Sequence, residues 1–319
     1  MKDPKDRDSA KIMKRQWSAI RNEWKNYVPT HVSPWPLPEH EIFELESLTP
    51  CLDELAQRRD EDREYTTHSE IEGLRVAVLH ESVALIHKSG NVLRAAASEG
   101  HAGFRTWSRS SAYHSAYFAM RGVLGLLGVV VFRGRDRKKD YQLDVFCDEV
   151  PSKSQRRPTA PKFAIQIIRR QRDAGHKELW GLFCRMLRIT KDVENVWPMN
   201  TIQTVKDMDA GSFTYIRHQI HYRSAGWVFG DIDSTHDSED FSNLAADVRS
   251  TKHFGDEKDE TFTPSLALYV YSLAMALLED LGNEIPRLKD EAQRAESFMS
   301  NAPWGTGNAF KVQLNGGEL

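Results

Sequence analysis

Apolar positions recur every three or four residues over most of this 319-residue chain, and that spacing predicts helices. The first stripe is Ile12, Met13, Trp17, Ile20, Trp24 and Tyr27, an N-terminal helix that Pro29 should end. Residues 33–38 hold three prolines and read as an extended connector. Two tryptophans on one helix face need cover, either from the body of the chain or from a protein partner. Residues 39–66, rich in Glu, Leu and Arg, read as a helix with a break near Pro50. A stripe of Val76, Leu79, Val83, Ile86, Gly90, Leu93 and Ala97 predicts a helix over 74–97. Another, of Tyr113, Ala116, Tyr117, Met120, Val123, Leu124 and Leu127, predicts one over 107–127. Beside it run Ser108, Ser111, Ser115, Ala119 and Gly122, small residues that let another helix come close.

After Gly128 the periodicity changes. Val129, Val130, Val131 and Phe132, then an alternating stretch over 141–146, predict a short hairpin near 129–146. Helices are expected again near 162–172 and 176–192, and a short one over 213–222 with Phe213, Ile216 and Ile220 inward. Residues 231–260 carry ten acidic residues against three basic ones and read as an acidic loop. Thr263 and Pro264 open a last strong helix, whose stripe of Leu266, Val270, Leu273, Leu277 and Leu281 stops at Gly282. The predicted fold is mainly α: an antiparallel helical bundle over 70–285 with a hairpin insert, an N-terminal arm over 1–69 and a tail over 286–319.

Composition narrows the class. Apolar residues are 40% and charged residues 28%, the balance of a globular chain. The net charge of −3 excludes a uniformly basic coat. Apolar runs at 122–132 and 264–278 are short for a bilayer and read as core, so no membrane partner is expected. The start of the chain has no apolar segment of a secretory signal, and three widely spaced cysteines fit a reducing compartment; the expected location is cytoplasmic. Charge is unevenly distributed. Residues 131–188 hold fifteen Lys/Arg and seven Asp/Glu, a net charge of +8, which leaves −11 elsewhere. Arg133, Arg135, Arg137, Lys138, Lys139, Arg156 and Arg157 are its candidates for RNA contact, since phosphate contacts supply most non-specific affinity. Pairing with the acidic 231–260 loop is the competing use of the same charge.

The segment 213–223 carries the candidate chemistry. On a helix, Arg217 and His221 lie four apart on one face, with His218 beside them. A guanidinium grips phosphate through paired donors, and an imidazole can move a ribose proton near neutrality. No metal or other cofactor is needed for that chemistry. A hydrogen-bonded pair that stabilises a helix end is the plainer use of the same residues. His80, Glu81 and His87 lack the spacing of a zinc protease, and Asp144, Asp148 and Glu149 lack the strand context of a metal nuclease.

Two segments resemble the HEPN-like superfamily of bacterial helical proteins. Tyr113-His114-Ser115-Ala116-Tyr117-Phe118-Ala119-Met120-Arg121-Gly122 is similar to its aromatic-small-aromatic helix, and Ile216-Arg217-His218-Gln219-Ile220-His221-Tyr222-Arg223 to its Arg-spacer-His signature. The gap from Arg217 to His221 is shorter than the superfamily's usual one. The resemblance implies a helical bundle that dimerises. It also implies metal-independent RNA cleavage at an Arg/His site, in a toxin–antitoxin or antiphage setting. Non-catalytic members imply the alternative, a binding or dimerisation module. A third reading is a scaffold subunit that meets a protein partner through the Trp17/Trp24 arm.

Overall fold

The computed structural model describes residues 15–31, 65–68, 71, 73–133, 140–148, 163–170, 175–196, 210–222 and 262–300. In chain order these form β1 (Arg15–Gln16), α1 (Trp17–His31), β2 (Tyr65–His68), α2 (Leu74–His101), α3 (Arg105–Leu126), β3 (Val129–Arg133) and β4 (Asp140–Asp148). They continue with β5 (Phe163–Arg169), α4 (His176–Ile189), β6 (Thr190–Lys191), α5 (Ala210–Tyr222), α6 (Phe262–Gly282) and α7 (Pro286–Ser300). The protein is mostly helical, with a small antiparallel sheet.

The small residues of α3 do what their spacing requires. A Cβ on Gly122 would sit 2.7 Å from Ile86 Cγ1, and one on Gly125 would overlap Ser82. Two to three turns earlier on α3, the Ser115 hydroxyl donates to Ser89 O at 3.0 Å and the Ser89 hydroxyl of α2 donates to Ser115 O at 2.8 Å. The α2–α3 contact is thus backbone-close, with its buried hydroxyls satisfied across the seam. It is the most extensive pairing of elements in the fold.

Helix α6 packs mainly on α3 and α7, with smaller contacts to α2 and α1. By length and composition it could cross a membrane, yet 89% of its most apolar window is buried inside the fold. Its apolar circumference serves the core. The next element, α7, departs from expectation. Residues 286–300, read as tail, form a helix whose buried Leu288, Ala292, Ala295 and Met299 follow helical spacing. Charged residues between them hid the stripe. The helix is tied to α2 by Glu291, which meets His87 Nε2 at 2.8 Å.

The hairpin belongs to a four-stranded sheet of order β2-β5-β4-β3. Residues 162–172, expected to be helix, are strand β5 instead. Ile165 and Ile167 are both buried, and such i, i+2 burial suits a strand and not a helix. Tyr65 and Thr66, placed in a helix by composition, lie in β2 and pair with Ile168 and Ile167. A bulge near Val145 and Phe146 brings Phe146 against Gly128, whose φ of +83° and lack of a Cβ are both needed there.

The N-terminal helix docks on this body and runs two residues past Pro29. Trp17 and Trp24 are 1% and 0% exposed, covered by the chain itself. Trp17 donates to Asp280 at 2.7 Å, and Trp24 donates to Leu126 O at 2.8 Å with its ring edge-on to Phe146. Just before the helix, Arg15 forms a buried ion pair with Asp144 and reaches Leu127 O. Segments before residue 70 therefore share the core of the body. The connector at 33–38, most of 39–66, the acidic loop at 231–260 and the tail beyond 300 lie outside the described residues.

Two predictions follow from this packing. Gly122→Val overpacks the α2–α3 seam and should lower unfolding free energy by about 1–3 kcal/mol in urea titration; an unchanged midpoint contradicts the close contact. Glu279 on α6 has its carboxyl raised from 4.5 to about 7 by burial and by the nearby Glu296. The folded state therefore holds the proton longer than the unfolded state. Its stabilising contribution is full below pH 4.5 and is lost as pH rises to about 7. Glu279→Gln should remove that decline; with solvent screening of this half-exposed carboxyl, the gain over the wild type should be roughly 1–2 kcal/mol above pH 7 and nothing below pH 4.5. Parallel stability curves for the two proteins would contradict it.

Candidate functional site

Arg217 lies where α3, α4 and α5 meet. Three features of the sequence build the place. Tyr113 and Tyr117 are one helical turn apart and share a side of α3. Helix α4 is strongly amphipathic, burying Leu179, Trp180, Leu182, Phe183, Met186 and Leu187. Helix α5 is anchored through Phe213, whose ring stacks on Trp180 with centroids 4.4 Å apart. That stack fixes α5 one turn before Arg217.

A polar network crosses the junction. Tyr113 Oη and His176 Nδ1 are 2.8 Å apart, and Trp180 Nε1–H donates to the same phenol oxygen at 3.4 Å. The His176 ring stacks on Tyr117 at 4.3 Å, the two planes 19° apart, and lies parallel to Tyr113 at 5.8 Å. Burial pushes the Tyr113 hydroxyl up to about 12, against the Trp180 hydrogen bond and the positive charge of Arg217, which lower it. Tyr117 is raised by burial too, again with Arg121 and Arg217 acting the other way. Both phenols therefore stay protonated near neutrality, and the Arg217 charge reaches both. Tyr113 is buried, whereas Tyr117, His176 and Arg217 are half-buried and His218 is exposed.

The candidate residues fare differently. Arg217 and His218 are on α5 as expected, and the α5 backbone carries His221 one turn beyond Arg217. The His221 side chain lies outside the described residues. Arg133 is exposed and forks onto the buried Asp140 across the β3–β4 pair, with Nε–Oδ1 at 2.8 Å and Nη2–Oδ2 at 3.3 Å. This is a cross-strand contact at the end of β3. Arg135, Arg137, Lys138, Lys139, Arg156 and Arg157 lie outside the described residues. Asp144 is paired with Arg15, and among the described residues no cluster of three His, Cys, Asp or Glu is placed to hold a metal. No protein-family model, curated protein or solved structure matches the chain.

His176 and Trp180 are residues of the junction that the sequence does not single out, and Tyr113 and Tyr117 enter it only through an apolar stripe and the aromatic-small-aromatic resemblance. By pattern alone, His176 is only the start of a helix. A partial signal existed: a tyrosine pair at helical spacing that must find partners for its hydroxyls once buried. Tyr113→Phe removes both bonds to the phenol oxygen and should cost about 1–3 kcal/mol of stability, read as a lower urea midpoint. A midpoint equal to wild type would place the network outside the folded core.

Proposed function

We propose that the protein binds RNA at the α3–α4–α5 junction, as a HEPN-like dimer whose Arg217 grips a backbone phosphate. The observation that carries this reading is the position of Arg217: half-buried on α5, near enough for its charge to act on the phenols of Tyr113 and Tyr117, with the exposed His218 next to it. A guanidinium in such surroundings offers paired donors to phosphate and is only weakly hydrated, so it tolerates partial burial. The net +8 of residues 131–188 adds attraction for the rest of a strand. The resemblance at 113–122 and 216–223 agrees in kind.

In the catalytic form of the proposal, the ribose 2′-hydroxyl attacks the adjacent phosphorus. Its proton passes to His221, a 2′-oxygen–phosphorus bond forms, and the 5′-oxygen leaves with a proton from an acid such as His218. Arg217 holds the charge that develops on the non-bridging oxygens. The product is a 2′,3′-cyclic phosphate, and a toxin–antitoxin or antiphage role would follow. The second reading, a binding module without cleavage, is favoured by the single helical turn between Arg217 and His221. In a straight helix that spacing aims both side chains along one line and leaves little room for a phosphate between them.

Fluorescence anisotropy with a labelled single-stranded oligoribonucleotide tests the shared part. Affinity should fall steeply between low and physiological salt, and Arg217→Ala should weaken it about tenfold. Wild-type binding that is absent or indifferent to salt overturns the proposal. Incubation of the same RNA in EDTA separates the two forms: cleavage that disappears in Arg217→Ala and His221→Ala supports catalysis, and intact RNA supports the binding module.

A further inference from the structure

We propose that the open edge of β3, with the groove beside it, takes an extended protein segment as an added antiparallel strand. The segment is apolar in its strand residues and acidic at the end that meets residues 134–139. This role is independent of RNA binding.

The pairing of β3 with β4 leaves part of its backbone unused. Val145 N–H donates to Gly128 O at 2.9 Å, so the next facing pair, Val129–Asp144, exchanges no hydrogen bonds of its own. By alternation Val130 and Phe132 bond to β4, whereas Val129 and Val131 turn their N–H and C=O groups away from it. Among the described residues β3 is the last strand of its sheet, and none of them bonds to those outward groups. Val129 is 1% exposed and Val131 is half-buried. Backbone groups buried to this degree are nearly always paired.

A groove of about 320 Å³ lies against this edge. Val129, Val130 and Val131 line it in succession. Neighbouring residues of a strand point to opposite faces, so a groove that touches three in a row runs along the edge. Val78 and Leu85 of α2, Leu124 of α3 and Leu179 of α4 form its other walls. Glu81 and Arg121, which also line it, pair with each other at 3.2 Å. The groove thus offers apolar contact from side chains and hydrogen bonds from backbone, the two things an added strand uses. Its walls set the edge back from the surface. A single extended segment can enter, whereas a second copy would bring an edge set back in the same way. Charge decides the rest. Residues 134–139, which join β3 to β4, carry four basic side chains and one acidic, a net +3 tied to the end of β3. An antiparallel segment begins beside Arg133, so its complementary acidic residues belong at its amino end.

The test uses the full chain and a fluorescein-labelled octapeptide, two glutamates followed by alternating valine and threonine. Anisotropy should show saturable binding with Kd below about 1 mM. Methylating the strand nitrogens of the peptide keeps its side chains and removes its donors, and should weaken binding at least about tenfold. Lysines in place of the glutamates should weaken it about fivefold. Val131→Pro removes an outward N–H at an edge position, where proline spares the β4 bonds, and should weaken binding about tenfold. Amide exchange of the wild type gives a readout that needs no variant: the Val131 amide should exchange fast in the free protein and slow on peptide addition. Absence of binding, equal binding of the methylated peptide or equal binding of the lysine peptide overturns the proposal. A Val131 amide already protected in the free protein also overturns it, since a segment of the chain itself would then hold the edge. So does a dimer in sedimentation that Val131→Pro dissociates, which would seat a second copy there.

Discussion

Two helices that touch through serine and glycine hold the rest of this protein in place. Where Gly122 and Gly125 of α3 meet Ser82 and Ile86 of α2, there is no space for a side chain. The Ser89–Ser115 hydroxyl exchange extends the same seam. Packing this close fixes the position and rotation of α3 about its axis. Everything else uses α3 as reference. One side presents Tyr113 and Tyr117 to α4 and α5, and α6 packs along another. Its C-terminal end offers the carbonyls of Leu126 and Leu127 to the N-terminal segment.

That N-terminal segment closes the end of the bundle electrostatically. Arg15 and Asp144 are 6% and 3% exposed, and burying two charges is expensive unless they are paired and their remaining atoms bonded. Here they are: Asp144 also accepts from the Phe146 amide at 3.0 Å, and Arg15 also donates to Leu127 O. Arg21 pairs with Asp280 at 2.9 Å nearer the surface, on the carboxylate that Trp17 also uses. A buried ion pair tolerates little displacement, so it specifies where α1 sits more than it stabilises the fold. The indoles that suggested a docking arm are consumed by this closure.

The junction around Arg217 follows from the same framework. Tyr113 must bond its hydroxyl because α3 is fixed with that residue inward, and His176 and Trp180 supply the partners. A buried aromatic stack, Trp180 on Phe213, then carries the short α5 into position. Arg217 is thus placed by an apolar contact made one turn away.

Periodicity alone determined the helices α2, α3, α4, α5 and α6 and the β3–β4 hairpin, because apolar burial on one face leaves a period in the sequence whatever the neighbour. The same logic failed for α7, whose stripe is thin among charges, and for β5, whose apolar cluster Phe163–Arg169 fits either period until a partner strand is known. Of the site, sequence marked Arg217 and His218 by residue type and placed His221 a turn further along. It could not find His176, since the tyrosine to which it is hydrogen-bonded lies 63 positions earlier in the chain. Nor could it decide between body and partner for Trp17 and Trp24. Which surfaces meet, which hydroxyl bonds to which ring and which charges are buried together depend on contacts between residues far apart in the chain. Those are chosen by packing in three dimensions, and a one-dimensional pattern holds no record of them.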